Sequence, residues 1–224
     1  MNTYDIKINN QFYIWLIFCL SLVFLIIVVG GLTRLTNSGL SITEWEIFAG
    51  ILPPFTHQSW EIYFDQYKMI PQYKILNQNM SLNEFKIIFY WEYFHRVLAR
   101  LIGLFFLIPF LYFYFSKKIK INYIKICFLI FLLILLQGFI GWYMVQSGLV
   151  DNITVSHYRL SVHLSIAFII ISSIFWLILN FKDKKNKFFF NFSKNNILFL
   201  ILISLIFIQI ILGAFVSGLD AGRI

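Results

Sequence analysis

The chain has 224 residues, of which 60% are apolar and only 12% are charged. Soluble domains carry about 25% charged residues, and disordered segments are poor in apolar side chains, so both classes are excluded. The net charge of +8 does not indicate a nucleic-acid partner, because four of the eighteen Lys and Arg residues lie at 117–125 and five at 182–194, between long apolar runs. We therefore predict an all-α integral membrane protein.

Five apolar runs are long enough to cross a bilayer, which takes about 20 residues. They are 12–32, a run that ends at 115, 126–150, 160–181 and 197–219. By the positive-inside rule the two Lys-rich loops lie in the cytoplasm, which puts the N-terminus inside and residue 224 outside. Heavy use of Lys, Ile, Asn and Phe favours a multi-pass protein of a bacterial inner membrane.

The Lys-rich loops divide the chain into parts. We predict a transmembrane four-helix bundle at 1–181 with an external loop at 33–84, a cytoplasmic basic loop at 182–196, and at 197–224 the first helix of a second, repeated bundle. The external loop is aromatic and suited to the membrane interface, where it either packs the bundle or covers a functional site. An S-x-x-E capping box at 81–84 predicts the start of the second membrane helix.

Similarity within the chain indicates the repeat. The segment 213–222 resembles 31–39, and Ser-Gly-Leu ends each outward-leading run, at 38–40, 147–149 and 217–219. Because the sequence stops at Ile224, we expect a fragment whose second repeat is incomplete.

The second membrane helix carries a group of ionisable residues. Within roughly 140° of arc it presents Glu92, His95, Arg96 and Arg100. Ionisable side chains at membrane depth are costly and normally face the interior of a bundle. Glu92 is therefore a candidate catalytic acid, with a purely structural ion pair to Arg96 or Arg100 as the alternative.

The fourth membrane helix supplies a second histidine at a similar depth. His95 lies 22 residues before Lys117. His163 lies 19 residues before Lys182, so the two histidines differ in height by only about 4.5 Å along parallel helices. Two imidazoles that face each other across a four-helix bundle are typical of a bis-histidine haem site, with the iron as the metal. A packing role for each remains the alternative.

Four further side chains are candidates to contact haem propionates or to pack around the ligands, namely Arg96, Arg100, Arg159 and His157. His157 is rotated by about 120° from His163, so at most one of the two histidines faces the bundle axis. His163 lies deeper and is the better candidate. For the arginines, interfacial anchoring is the alternative.

Taken together, the motifs resemble a known family. They are the segments 30–41 (GGLTRLTNSGLS), 91–96 (WEYFHR), 138–149, 155–160 (VSHYRL) and 213–222. Over essentially the whole chain they look like haem A synthase, of the type found in alphaproteobacteria and mitochondria.

The resemblance implies eight membrane helices in two similar halves, and the oxidation of a methyl group of haem O to the formyl group of haem A for cytochrome c oxidase biogenesis. It implies that Glu92 matches the catalytic acid and that His95 and His163 match the N-terminal histidine pair, so the first four helices are the substrate half. A haem b is expected in the other half, with a second histidine pair that is not among these 224 residues.

The expected chemistry follows from these roles. His95 and His163 would hold or flank the haem iron, while Glu92 would stabilise positive charge at the oxidised carbon or accept a proton. The expected partners are haem O, an electron donor, haem O synthase and the lipid bilayer, with the oligomeric state open. Two other functions also stay open at this point, a bis-histidine membrane cytochrome b for electron transfer and a non-catalytic scaffold or transporter.

Overall fold

The computed structural model of the chain describes residues 3–44, 52–149, 153–183 and 196–221. Within these ranges all regular elements are helices, which confirms the predicted all-α class. They are α1 (Thr3–Leu35), α2 (His57–Lys68), α3 (Pro71–Leu76), α4 (Leu82–Ser116), α5 (Ile121–Gly148), α6 (His157–Asp183) and α7 (Ile197–Gly218). Most of the predicted basic loop 182–196 and the end of the repeat, 222–224, lie outside the described residues.

Five of the described helices, α1 and α4 to α7, are long and apolar enough to cross a membrane. They correspond to the five predicted runs, so the chain is a multi-pass membrane protein. Helix α4 begins as predicted, because Ser81 accepts from the backbone N–H of Glu84 while the Glu84 carboxylate accepts from the backbone N–H of Ser81 at 2.7 Å.

The end of α1 differs from the predicted one. Helices α5 and α7 end at Gly148 and Gly218, within their Ser-Gly-Leu motifs, but α1 ends three residues before Ser38. Asn37 adopts a left-handed φ of 52°, and the N–H of Ser38 donates to the carbonyl O of Thr33 at 2.9 Å. This is a Schellman motif, which terminates the helix three residues after the predicted apolar run 12–32 and before the Ser-Gly-Leu motif.

Four membrane helices form a ring in the order α1, α4, α5 and α6, each packed against the next, and α7 packs on the outside of α6. At its C-terminal end α7 is also joined to α1. Arg34 donates to the carbonyl O of Ser217 at 2.5 Å and to the carboxylate of Asp220 at 3.0 Å. The ring has the topology of a four-helix bundle.

The buried apolar side chains form two separate clusters. One, which we call the inner core, fills the ring toward the α4–α5 turn and includes Phe12, Phe106, Cys127 and Ile174. The other, the outer cap, packs α2 and the segment after α1 onto the start of α4, and its largest members are Trp60, Phe64, Tyr67, Phe85 and Phe89. The two clusters lie at opposite ends of α4.

Between the inner core and the outer cap the ring contains a zone without buried side chains, which we call the gap. It comprises residues 24–32 of α1, 93–101 of α4, 131–143 of α5 and 162–166 of α6. The stretches on α1 and α4 are each about 14 Å long at 1.5 Å per residue. No residue at this level of the four helices is fully buried, although some, such as Leu98 and Ile134, pack partly against the inner core. We therefore treat the gap as a candidate place for a ligand.

Candidate functional site

Glu92 lies on α4 at the outer edge of the gap, and its side chain is buried. Its Oε2 accepts hydrogen bonds from Ser41 Oγ at 2.7 Å and from the backbone N–H of Ile42 at 2.9 Å. Its Oε1 accepts from Nε and Nη2 of Arg96, at 3.1 Å and 2.6 Å. Four donors thus fix the orientation of the carboxylate, two from the segment after α1 and two from α4.

Arg96 binds the same segment from the other side. Its Nη2 also donates to the carbonyl O of Ile42 at 2.9 Å, so both backbone groups of Ile42 are bound by this ion pair. The pair joins adjoining turns of α4, and both side chains are shielded from solvent. The segment that follows α1 is therefore fastened to α4 by buried, charge-assisted hydrogen bonds.

His95 follows Glu92 by one turn of α4 and lies in the gap. Its ring contacts α1 at a glycine: a methyl group added to Gly30 would lie 3.3 Å from His95 Nε2. His163 lies in the gap on α6, and there a methyl group added to Gly141 of α5 would lie 3.2 Å from His163 Cε1.

The His163 imidazole has a hydrogen-bonding group without a partner among the described residues. Its Nδ1 is buried and has no hydrogen-bond partner among the described residues. Gln137 of α5 lies against the same turn, with Nε2 donating to the backbone carbonyl O of His163 at 3.0 Å, while its own Oε1 is buried and also lacks a partner there. A buried unpaired nitrogen is costly unless a ligand satisfies it.

Arg100 lies one turn beyond Arg96 on α4. Both side chains line a small cavity of about 20 Å³. The walls of this cavity come from α4, α2 and the segments beside them, and they also include Ile42, Glu44, Leu52, Tyr63, Phe89 and Tyr93. Two guanidinium groups and two tyrosines make it a polar site at the outer edge of the gap. Its volume is sufficient for about one water molecule.

The other two candidates lie elsewhere. Arg159 rests on the ring of Tyr143, with its guanidinium carbon 4.5 Å from the ring centre. His157 is turned to α7, with its ring centre 5.7 Å from that of Phe215 and its Cβ close to Gly218. The structure thus brings Glu92 and Arg96 into direct contact and puts His95 and His163 in one gap, while Arg159 lies against Tyr143 and His157 lies against α7.

Sequence reasoning missed the residues that support the site from other helices. Ser41 and Ile42 reach Glu92 across about 50 positions of sequence, and Gly30 and Gly141 lie against the two histidines. In the sequence, Gly30 and Ser41 appear only within the motif at 30–41, and Gly141 appears only within the segment 138–149. Within the described residues there is no group of three or more His, Cys, Asp or Glu side chains that could hold a metal ion by themselves.

Comparison with known proteins identifies the family. Residues 13–224 match the model of the family described as cytochrome oxidase assembly protein. The chain is 53% identical over 222 residues to a protein of Pelagibacter ubique named "Heme A synthase", covering 97% of this chain and 65% of that protein. Proteins of the same name from Nitrosomonas eutropha and Rickettsia bellii are 47% and 46% identical, each over 94% of this chain.

No solved structure matches the chain. It covers 65%, 60% and 63% of the lengths of the three relatives, in the order given, and so spans less than two thirds of each. Both the family match and the identities extend over nearly all of the 224 residues. The chain therefore belongs to the cytochrome oxidase assembly protein family.

Proposed function

We propose that this chain is the haem O-binding part of a haem A synthase and that it oxidises a methyl group of haem O to the formyl group of haem A. The names of its relatives support the reaction. The observation that carries the proposal is the position of Glu92, a buried carboxylate one helical turn from His95 at the edge of the gap. An electron carrier needs axial ligands but has no need of a buried acid beside them.

The residues of the gap fit a haem. His95 and His163 project from α4 and α6, which are opposite one another in the ring, and their imidazoles would ligate the iron. The buried Nδ1 of His163 has no hydrogen-bond partner among the described residues, which supports a ligand beside this imidazole. On α1 and α4 the gap extends over about 14 Å of helix, and on α6 over about 7.5 Å, so a macrocycle would have most room along the first two helices.

The arginines suit the propionates of such a haem. Arg96 already uses Nε and Nη2 for Glu92 and Ile42. We therefore assign propionate binding chiefly to Arg100, which lines the same cavity one turn further along α4. Arg159 and His157 are given no propionate contact in this proposal, because they lie against Tyr143 and α7.

Glu92 would act as a fixed negative charge. Four donors hold its carboxylate, so it is better suited to stabilise positive charge that develops at the reacting carbon than to move toward a proton. The reaction replaces two hydrogen atoms of the methyl group by one oxygen atom. If water supplies that oxygen, four electrons and four protons are released. If O2 supplies it, each of two hydroxylations consumes one O2, two electrons and two protons and releases one water, and the hydrate so formed loses a further water to give the formyl group.

Either route requires an electron partner, and haem O must arrive from a haem O synthase. We place the chain in a bacterial inner membrane with its N-terminus in the cytoplasm, because Lys117, Lys118 and Lys120 lie at the α4–α5 turn, away from the outer cap. The haem b of the family resemblance would belong to the part of the relatives that this chain does not span.

The test is to express the complete reading frame that encodes this sequence in a host that makes haem O, and to identify the extracted haems by mass. The decisive variant is Glu92→Gln, and Glu84→Gln is its matched control. Glu84 is an exposed residue of the same helix, and Gln in a capping box keeps the helix start.

We expect haem A from the wild type and from Glu84→Gln, but only haem O or partly oxidised haem from Glu92→Gln. Equal haem A from all three would remove Glu92 from the mechanism. A haem-containing wild type that yields no haem A would favour the membrane cytochrome b instead, and a colourless protein would favour the scaffold.

A further inference from the structure

Each histidine of the gap rests against a glycine of a neighbouring helix. His95 of α4 contacts Gly30 of α1, and His163 of α6 contacts Gly141 of α5. A methyl group at either glycine would lie 3.2–3.3 Å from an imidazole atom, closer than ordinary van der Waals contact. A methyl group at either position would therefore require the facing ring to move by a few tenths of an ångström.

The two contacts are arranged symmetrically. In the ring order α1, α4, α5, α6, each histidine contacts the helix that precedes its own. The four residues belong to four different helices, and all of them lie at the level of the gap. Packing of two helices alone would not place a glycine against each of two opposite imidazoles.

These glycines also occur where helices disfavour them. A glycine inside an α-helix is less stable than an alanine, so an interior glycine needs a reason such as close approach by another group. Gly31 and Gly138 are the useful contrast, because a methyl group at either position meets no atom within 4 Å. They lie on the same two helices as Gly30 and Gly141 but have no comparable contact.

We propose that Gly30 and Gly141 are positioning residues that set the place and tilt of the His95 and His163 imidazoles. The inference rests on the proposed haem function and extends it to two residues that would touch no substrate. A methyl group at either glycine would displace or turn one ring while the other stays in place. The two rings would then no longer be matched to one iron.

The experiment compares Gly30→Ala and Gly141→Ala with Gly31→Ala and Gly138→Ala, all in the full chain. Each purified protein is loaded with haem, and three properties are measured: the haem retained per protein after gel filtration, the low-spin EPR g values, and the reduction midpoint potential. The g values depend on the planes of the two axial imidazoles and arise only from the haem-loaded fraction. They report ring placement even when the yield of folded protein falls.

We expect Gly30→Ala and Gly141→Ala to retain haem on the order of tenfold more weakly, since overpacking has costs of that size, and to show shifted g values and potentials. The two control variants should match the wild type. Melting of the haem-free proteins, followed by helical circular dichroism, tests folding separately. If Gly30→Ala does not fold, Gly141→Ala decides the question.

Two negative results have different meanings. If the wild type retains haem but the test variants match Gly31→Ala and Gly138→Ala in retention, g values and potential, the positioning role is wrong and the proposed function stands. If the wild type retains no haem, the proposed function fails and the inference fails with it.

Discussion

Ser41 Oγ donates a 2.7 Å hydrogen bond to Glu92 Oε2, although the two residues are 51 positions apart in the chain. The same hydroxyl lies 3.3 Å from the carbonyl O of Ile88, and Ser41 is buried. The segment that leaves α1 therefore contributes directly to the orientation of the only acidic side chain buried among the described residues. Conversely, Glu92 holds that segment against α4.

Replacement of Ser41 by Ala should reduce haem A formation on the order of tenfold, because a hydrogen bond to a charged group is worth about 1.5–3 kcal/mol. Haem retention should stay near the wild-type value, since Ser41 contacts neither histidine in the structure. The ratio of haem A to total haem in extracts measures this effect. Ser21→Ala is the control, because Ser21 is exposed and donates to its own helix. An unchanged ratio in Ser41→Ala would contradict the positioning of Glu92 by Ser41.

Arg96→Gln should destabilise the outer part of the bundle. Removal of one partner from a buried ion pair costs about 3–5 kcal/mol, because the remaining charge loses its counter-ion. We expect a lower melting temperature in detergent and faster proteolysis between α1 and α4. In the double variant with Glu92→Gln, part of the loss should be recovered, since no charge is then left unpaired.

The control for Arg96 is Arg159→Gln. Arg159 is half-buried and lies over the ring of Tyr143, so its loss should cost about 1 kcal/mol or less. Equal melting temperatures for Arg96→Gln and Arg159→Gln would show that the ion pair does not hold the segment after α1.

Tyr67 should make the outer cap sensitive to alkaline pH. Burial raises the pKa of its hydroxyl above the ordinary value of 10.0, and the hydrogen bond from Asn77 opposes this shift. The unfolded chain therefore loses this proton at a lower pH than the folded chain does. The contribution of Tyr67 to stability should be complete below about pH 10 and should fall as the pH rises toward the raised value.

Thermal melting in detergent between pH 8 and about pH 11 measures this loss. Tyr67→Phe should show a smaller decrease in melting temperature over that range than the wild type. It should also be less stable at pH 8 by about 1 kcal/mol, because the hydroxyl donates to Gln72 and accepts from Asn77. Tyr114→Phe, at an exposed position, is the control. Parallel melting curves for wild type and Tyr67→Phe would contradict the prediction.

The membrane helices could be predicted because length and apolar content act locally. The start of α4 could also be predicted, since Ser81 and Glu84 are three residues apart and form reciprocal side chain to backbone hydrogen bonds. The end of α1 could not be predicted, because the Schellman motif depends on the left-handed conformation of Asn37, three residues after Arg34.

The contacts of the candidate site likewise fall into two kinds: those within one helix, which the sequence predicts, and those between helices, which it does not. Glu92 and Arg96 are four residues apart on one helix, so their ion pair follows from helical geometry. The contacts of Ser41, Gly30 and Gly141 depend on how four helices are aligned along the bundle, which no local pattern specifies. The similar depth of His95 and His163 stays a prediction, which rests on counting from charges at one end of the bundle.

The most direct test of the account is the optical and EPR spectrum of the purified, haem-loaded full chain, compared with His95→Ala, His163→Ala and His157→Ala. We predict a low-spin bis-histidine spectrum in the wild type and in His157→Ala, because His157 faces α7. His95→Ala and His163→Ala should each lose that spectrum and retain less haem. An unchanged low-spin spectrum with full haem content in both variants would show that the gap between the inner core and the outer cap is not the haem site.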